Sequence, residues 1–477
     1  MIAIFHACCA GNDITARGVC VPRPPATLVV ICAVCGRWRD LAIDTPSLWA
    51  TIKVNVLGSP RSASNIRRTA QLFIARSRHT LIHADIGYAP VDDPETDFFY
   101  MMVNSSHRWR SLTLKATFKA SHKDAFDEIH NQLPTLKELS VTLVGIGPGE
   151  IGQPLLTAFE TAPSLRFVDL DMKSVNAGIS LPWSQISKFR IRQCHVHEVI
   201  AVFSRVPYAD EISIEVLFQD DDLSDNRCIT LPSLRRVVFE LGTEPESAAD
   251  EALNDILDNC TLPKLEAISI TQMYPPSNPS WDVPWAATFI PQLILRSGCI
   301  LTSISFCHIP IADIDLMSVL ELTPSLATLD IIEGFPEAYY VGTRSRKNLS
   351  VTPQFLRRLS VQYGSLNRKN DSVNHEPIPI LTPRLAGLSL EMFDSDLDLT
   401  SLVNMIVSRC PVDAEESRQV VRKHSTSQLY TPLTHIDIVI HSRKGASEFQ
   451  ELSELSCFRD LGVQINLKLV QELEEEE

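Results

Sequence analysis

The chain has 477 residues, of which 44% are hydrophobic and 21% are charged, a composition typical of a globular protein. Its formal net charge of -15 argues against a nucleic-acid-binding surface. No run of residues approaches the roughly 18 continuous apolar positions of a membrane span. Twelve cysteines without a disulfide framework, and an N-terminus without a signal-peptide pattern, indicate the cytoplasm or the nucleus.

A tryptophan-rich stretch near the N-terminus reads VCGRWRDLAIDTPSLW over residues 34–49. Val34, Trp38 and Leu41 recur at helical spacing, which predicts a short helix with one apolar face. Pro46 ends that helix, because the residue before a proline avoids the α region. The leucine and tryptophan after the proline are then free to pack on the same face. Such an apolar area is too large for the segment to bury alone, so it requires neighbouring helices or a partner.

This string resembles the second half of an F-box, in the form common among fungal F-box-like proteins. The resemblance covers residues 28–52, and residues 2–8 are similar to the end of the family's first helix. The Leu-Pro and glutamate that normally precede that point do not occur here. The resemblance implies that residues 1–52 form a helical segment that binds a Skp-type adaptor. The residues that it assigns to adaptor binding are Ile4, Phe5, Val34, Cys35, Trp38, Leu41, Pro46, Leu48 and Trp49.

The connecting regions are predicted from their composition and apolar spacing. Residues 10–27 contain glycines and three prolines, which predicts a loop between the first two helices of the segment. Residues 53–108 are interpreted as a linker and the N-terminal cap of the region that follows. Within them, apolar spacing predicts a helix over residues 64–77 and a strand over residues 80–86.

A repeated pattern, L-x-x-L-x-L with any large apolar residue at the L positions, occurs about twelve times between residues 109 and 438. Most adjacent copies lie 21–36 residues apart, and six are preceded by a proline two positions earlier. Leucine-rich repeats have a similar period, with a strand and a helix in each unit. The array therefore resembles the irregular leucine-rich repeats found behind F-boxes. Representative copies are Leu165/Val168/Leu170, Ile186/Phe189/Ile191, Leu234/Val237/Phe239 and Leu356/Leu359/Val361.

The predicted fold is α/β. The short F-box-like helical segment is followed, over residues 109–470, by a leucine-rich-repeat solenoid with a parallel sheet on its concave side. Polar or proline-rich insertions interrupt the array, and residues 471–477 form an acidic tail that is predicted to be disordered. The insertions cover residues 273–285, 333–348, 367–381 and 411–432, and disorder is predicted for the last two.

Charged side chains flank the apolar pair in several copies and are predicted to point away from the core, because side chains alternate along a strand. Two interpretations remain open. The charges form cross-strand ion pairs, or a basic strip captures an acidic or phosphorylated segment of a protein target. The residues assigned to target binding are Asp169, Asp171, Lys188, Arg190, Arg192, Glu211 and Glu215.

No motif assigns catalytic, cofactor-binding or metal-binding residues. Cys32 and Cys35 have a C-x-x-C spacing but lack the second pair that zinc requires. His195 and His197 lack further ligands, and the glycine-rich residues 145–149 lack the lysine of a P-loop.

The resemblance therefore implies a substrate receptor of a cullin ubiquitin ligase, with the ligase core and a protein substrate as partners and no contact with membrane or nucleic acid. The alternative is a repeat scaffold for protein–protein interaction with no ligase role, in which the N-terminal helices only cap the array. A hydrolase with a hidden triad is a third, weaker possibility.

Overall fold

The computed structural model contains two compact units, Met1–Cys194 and His195–Glu477. The described residues are 1–9, 13–17, 27–57, 60–89, 96–117, 126–144, 157–171, 178–218, 228–242, 249–273, 288–333, 349–361, 380–394, 397–410, 430–442, 455 and 458–471.

The first unit contains, in its described part, five α-helices and seven strands. The helices are α1 (Ile2–Cys9), α2 (Thr27–Val34), α3 (Gly36–Ile43), α4 (Pro60–Arg76) and α5 (Thr96–Val103). The strands are β1 (Asp13–Arg17), β2 (Thr51–Leu57), β3 (Ile82–Ala89), β4 (Trp109–Thr117), β5 (Glu138–Val144), β6 (Phe167–Asp171) and β7 (Lys188–His195). Each strand pairs in parallel with the next one along the chain.

The second unit contains six α-helices and ten strands among its described residues. The helices are α6 (Val196–Phe203), α7 (Ala249–Asp258), α8 (Phe289–Ser297), α9 (Asp313–Glu321), α10 (Pro353–Leu359) and α11 (Leu399–Arg409). The strands are β8 (Glu211–Phe218), β9 (Ile229–Thr230), β10 (Arg236–Leu241), β11 (Cys260–Thr261), β12 (Ala267–Gln272), β13 (Ser303–Cys307), β14 (Thr328–Ile332), β15 (Gly387–Phe393), β16 (His435–Ser442) and β17 (Gln464–Gln471). Eight of them pair in parallel in the order β8-β10-β12-β13-β14-β15-β16-β17, and β9 pairs separately with β11.

Alternating apolar residues explain why these segments form strands with one buried side. The register places Val168 opposite Phe189 and Val237 opposite Ile268, so equivalent positions of successive copies stack in one apolar row. The prediction that these copies are buried and pair in parallel is confirmed. The eight residues that test it expose 1% or less of their surface: Leu165, Val168, Leu170, Phe189, Ile191, Leu234, Val237 and Phe239.

Three arginines connect successive helices through backbone carbonyls. Arg108 donates to carbonyls in and after the last turn of α4. Arg296 donates to the Leu257 carbonyl in the last turn of α7 and to the Cys260 carbonyl in β11. Arg409, which is completely buried, donates to the Leu359 carbonyl at the end of α10 over 2.6 Å. The Leu257 and Leu359 carbonyls lie in the last turn of a helix, where they have no partner within the helix, so Arg296 and Arg409 satisfy them.

One predicted repeat copy is wrong. Residues 356–361 were expected to form a strand, but most of them belong to α10. The Thr352 side chain caps that helix by accepting a hydrogen bond from the Phe355 amide over 3.1 Å, and Pro353 occupies the first turn. Both residues favour helix starts, and apolar residues three positions apart fit a helix face as well as a repeat.

Two N-terminal predictions also need correction. The single helix expected across Val34 and Trp38 is two helices, because Cys35 is extended (φ -160°, ψ 167°) and separates α2 from α3. Val34 is consequently at the end of α2 and does not share a helix face with Trp38. The loop predicted over residues 10–27 contains β1, which pairs with β2. Residues that were assigned to the helical segment and to the linker therefore form the paired strands β1 and β2.

The four predicted insertions fall mostly outside the described residues, as does the acidic tail after residue 471. The disorder predicted for residues 367–381 and 411–432 therefore stays a prediction.

None of the helices in the described residues meets the requirements of a membrane span. The helix α4 has 17 residues. Within the described residues, no helix combines the length and the apolar character that a membrane span requires.

Candidate functional sites

Three of the nine residues assigned to adaptor binding are buried within the first unit. Phe5, Leu48 and Trp49 expose 3% or less of their surface. The Trp49 indole donates to the Ala42 carbonyl over 2.7 Å, and its ring meets the edge of Phe73 at a centroid distance of 5.0 Å. Trp49 therefore anchors the short helices to α4, an aromatic contact that stabilises the unit itself.

Three more of these residues, Trp38, Leu41 and Pro46, are half-buried. The Trp38 ring packs edge-on against Phe5, with ring centroids 5.2 Å apart. This contact joins α3 to α1, so Trp38 has a packing role whatever else it binds.

The remaining residues of the set are exposed, and they belong to a partly uncovered apolar surface. Ile4 exposes 63% of its surface and Val34 exposes 56%, and Cys35 is also exposed. The helix α2 buries Ile31 on one side and exposes Val30 and Val34, one helical turn apart, on another. A helix that is apolar on every side is normally buried. The exposed side of α2 is therefore suited to contact with a partner.

Two of the charged residues assigned to target binding, Asp169 and Arg192, are in direct contact in the first unit. Arg192 donates to one carboxylate oxygen of Asp169 over 2.8 Å, and Ser140 donates to the other over 3.0 Å. The same guanidinium reaches the Thr142 hydroxyl at 3.0 Å. The side chains of Arg192 and Asp169 expose 21% and 16% of their surface. For these two residues, the geometry favours a cross-strand ion pair.

The other residues assigned to target binding differ in their exposure and in the unit to which they belong. Asp171 is buried, with 5% of its surface exposed, and so does not present its carboxylate on the outer surface as expected. Lys188 is exposed and Arg190 is half-exposed, and the register places Arg190 opposite Asp169. Glu211 and Glu215 are half-buried on β8, which belongs to the second unit.

A groove in the second unit was not predicted from the sequence. Its volume is about 670 Å³, and it crosses the five consecutive strands β13–β17. The residues that line it are Ser303, Ile304, Ser305, Thr328, Leu329, Asp330, Gly387, Leu388, Ser389, His435, Ile436, Asp437, Arg459, Val463, Gln464, Ile465 and Asn466.

One polar row runs across this groove, with Ser305, Asp330, Ser389, Asp437 and Asn466 opposite one another on successive strands. The Ser305 hydroxyl donates to Asp330 over 3.0 Å, and the Asn466 amide donates to Asp437 over 3.1 Å. The two carboxylates are thus held from opposite sides, with a short serine side chain between them. In parallel strands this row has a spacing of about 4.8 Å per strand.

Small residues create the depression. Ser303, Ser305, Gly387 and Ser389 occupy outward positions on β13 and β15. A Cβ atom on Gly387 would lie 3.1 Å from the Thr328 methyl group, so even alanine is tight at this position. The sequence signal that could have revealed the groove is the run of serine and glycine at alternate positions of neighbouring copies.

Glu333, at the start of a predicted insertion, is a buried carboxylate that holds the other end of that insertion. It accepts hydrogen bonds from the backbone amides of Leu349 (2.9 Å), Ser350 (2.6 Å) and Val351 (2.6 Å). Burial raises the pKa of Glu333 to about 7, and these amide donors oppose that rise. The arrangement closes the base of the insertion just before α10.

The motifs considered for metal binding show no coordination geometry. Burial raises the pKa of the Cys32 thiol, which disfavours the thiolate that binds metal, while Cys35 is exposed. His195 and His197 stack with ring centroids 5.9 Å apart. Across the described segments, no group of three or more potential ligands could hold a metal ion. The glycine-rich residues 145–149 lie outside these segments.

Comparison with known proteins adds no family assignment. A scan against protein-family models finds no match, and a search of curated proteins finds no significantly similar sequence.

Proposed function

We propose that this chain is a substrate-receptor subunit of a Skp–cullin–F-box type ubiquitin ligase. Its N-terminal helices bind the Skp-type adaptor, and the outward faces of its parallel strands bind a protein target. In this proposal the repeated strands and helices form a leucine-rich-repeat solenoid, which presents an extended surface. The chain itself performs no covalent step. It acts by raising the effective concentration of target lysines near the ligase core.

The single observation that carries the adaptor proposal is the uncovered apolar side of α2. Val30 and Val34 expose 43% and 56% of their surface, and Ile4 on α1 exposes 63%. Burying apolar area of this kind against a partner is favourable by about 25 cal/mol per Å². The F-box resemblance names a Skp-type adaptor as that partner.

The target proposal is supported by the parallel strands themselves. Their core-facing residues are used in packing, whereas outward residues such as Arg190, Asp437 and Asn466 remain accessible. An in-register array of this kind offers successive side chains at regular spacing, which suits recognition of another protein.

The adaptor proposal is tested by co-precipitation of a Skp-type adaptor with the Ile4→Asp/Val34→Asp variant. Both side chains are exposed, so the change should leave the fold intact and reduce adaptor recovery at least tenfold. Trp38→Ala is a less discriminating test, because it also removes the contact with Phe5.

The matched control is Ile314→Asp/Val407→Asp in the second unit, where the two side chains expose 64% and 45% of their surface. This control should bind the adaptor like the wild type. Equal adaptor recovery from both double variants, with both folded, would contradict the proposal.

The alternative, a repeat scaffold without a ligase role, has one observation in its favour. Phe5, Leu48 and Trp49 are already buried against the chain's own residues, so this part of the helical segment has a packing role as a cap. A wild-type chain that retains a protein target but never recovers a Skp-type adaptor would support the scaffold.

A further inference from the structure

Three basic residues form a row at the starts of strands β4, β5 and β6 in the first unit. The Lys137 amide donates to the Arg110 carbonyl over 2.8 Å, and the Arg166 amide donates to the Lys137 carbonyl over 2.9 Å. These backbone bonds place the three residues side by side, at the usual strand spacing of about 4.8 Å. All three side chains are exposed. Arg110, Lys137 and Arg166 are called the basic row below.

No carboxylate among the described residues neutralises the basic row. The Arg166 guanidinium donates to two backbone carbonyls of its own turn, which carry no charge. Within the described part of the chain, none of the three residues forms an ion pair, although the exposed Glu138 follows Lys137 directly. Like charges on directly neighbouring strands destabilise a sheet. The row therefore places three positive charges at a surface where they do not contribute to packing.

The equivalent positions of the second unit are occupied differently. Asp210, Arg235 and Glu266 follow one another through the same type of backbone bond, so their charges alternate in sign. Arg235 and Glu266 form an ion pair over 2.5 Å. The next two positions are the uncharged Thr302 and Ala327. The strand starts thus accept paired or neutral residues, so the fold does not require the like charges of the basic row.

We propose that the basic row binds a carboxylate-rich, extended segment of a partner protein, which lies across the starts of β4, β5 and β6. The three positions span about 10 Å, which is the length of about three extended residues. An arginine can bond a carboxylate through two N–H groups, and a lysine can bond one through its ammonium group. The chain has a formal net charge of -15, which disfavours a long polyanion such as nucleic acid more than a short acidic segment.

The inference goes beyond the proposed function, because it places a binding surface at the strand starts and assigns the chemistry of its ligand. It does not depend on adaptor binding. A chain that recovers no Skp-type adaptor would still bind an acidic segment.

The experiment measures fluorescence anisotropy of a labelled octaglutamate peptide with the full-length chain. Octaglutamine has the same length and a similar side-chain shape without the charge. The wild type should bind octaglutamate about tenfold more tightly than octaglutamine, because several charge-assisted contacts at an exposed surface each add a modest amount. The preference should weaken with added salt.

The variant Arg110→Gln/Lys137→Gln/Arg166→Gln should bind the two peptides equally. It should unfold at the temperature of the wild type or slightly above, because neighbouring like charges are removed. A purely structural role of the three side chains would instead lower that temperature. Circular dichroism melting measures this and establishes that the variant is folded.

The matched control is Arg235→Gln/Lys264→Gln/Arg384→Gln, which removes two arginines and one lysine from exposed positions of the second unit. This control should keep the preference for octaglutamate. If it loses the preference as fully as the first triple variant, binding follows the net charge and the proposal is wrong.

Three other outcomes would overturn the proposal. The wild type binds octaglutamate and octaglutamine equally, or the preference survives in the folded variant of the basic row. Alternatively, a single-stranded oligonucleotide of equal charge competes more strongly than unlabelled octaglutamate, which would make the row a nucleic-acid contact.

Discussion

The carboxylates on the strands of the two units are stabilised differently. Asp169 in the first unit receives hydrogen bonds on both oxygens, from Arg192 and Ser140. Asp330 in the second unit receives hydrogen bonds on one oxygen only, from the Ser305 hydroxyl at 3.0 Å and the Cys307 thiol at 4.0 Å, and its other, buried oxygen has no donor among the described residues. The same residue type at equivalent outward positions of a parallel sheet thus forms a saturated ion pair in one unit and a partly unpaired acceptor in the other. The unpaired oxygen of Asp330 is buried away from solvent, so its missing donor costs stability, whereas both oxygens of Asp169 are satisfied.

The largest loss of stability should come from truncating a residue of the buried apolar row that each unit contains. Leu170→Ala in the first unit and Leu329→Ala in the second remove side chains that expose 1% or less of their surface. Each should lower the free energy of unfolding by about 2–5 kcal/mol, because the cavity left behind cannot collapse fully. Urea denaturation measures both. A loss below about 1 kcal/mol in one unit would mean that its core row is not packed as described.

The second largest effect should be a pH dependence of folding stability caused by Glu333. Its pKa is raised from 4.5 to about 7 in the folded state, so between these values the folded state holds a proton that the unfolded state has released. Its contribution to stability is therefore fully present below pH 4.5 and is lost as the pH rises through about 7. The difference in melting temperature between wild type and Glu333→Gln should change over that range.

The matched control for this measurement is Glu321→Gln, an exposed carboxylate at the end of α9. Comparing the two variants separates the effect of the buried carboxylate from that of removing any one negative charge. A flat pH profile for Glu333→Gln would mean that the amides of residues 349–351 keep the carboxylate ionised in the folded state.

The smallest effect should be the difference in stability loss between Asp169→Asn and Asp330→Asn. Asp169→Asn removes the charge that Arg192 faces and should cost about 1–2 kcal/mol, since hydrogen bonds to charged groups are stronger than neutral ones. Asp330→Asn should change stability by about 0.5 kcal/mol or less, because the oxygen without a donor gains from losing its charge. Thermal unfolding of the two variants side by side measures the difference. Equal losses would show that Asp330 is as fully satisfied as Asp169.

The strands of the sheet could be predicted from the sequence, because a period-two apolar pattern favours a strand with one buried side. Copies such as Leu234, Val237 and Phe239 are buried where the pattern placed them. The copy at residues 356–361 failed because leucines three positions apart also fit a helix, and Thr352 with Pro353 favours one. The adaptor-binding set came from the F-box resemblance, which does not distinguish Trp49, packed inside the unit, from Ile4, exposed on its surface.

The sequence by itself determined that the apolar pairs form strands, since burial of alternating side chains depends on local spacing, and the helices between many of them favoured parallel pairing. Only the tertiary structure decided which outward residues meet. Arg192 bonds Asp169, 23 positions earlier, and Asp330 and Asp437 flank Ser389 although 107 residues separate them along the chain. Such contacts depend on strand order and register, which bring together residues from copies that share no local pattern.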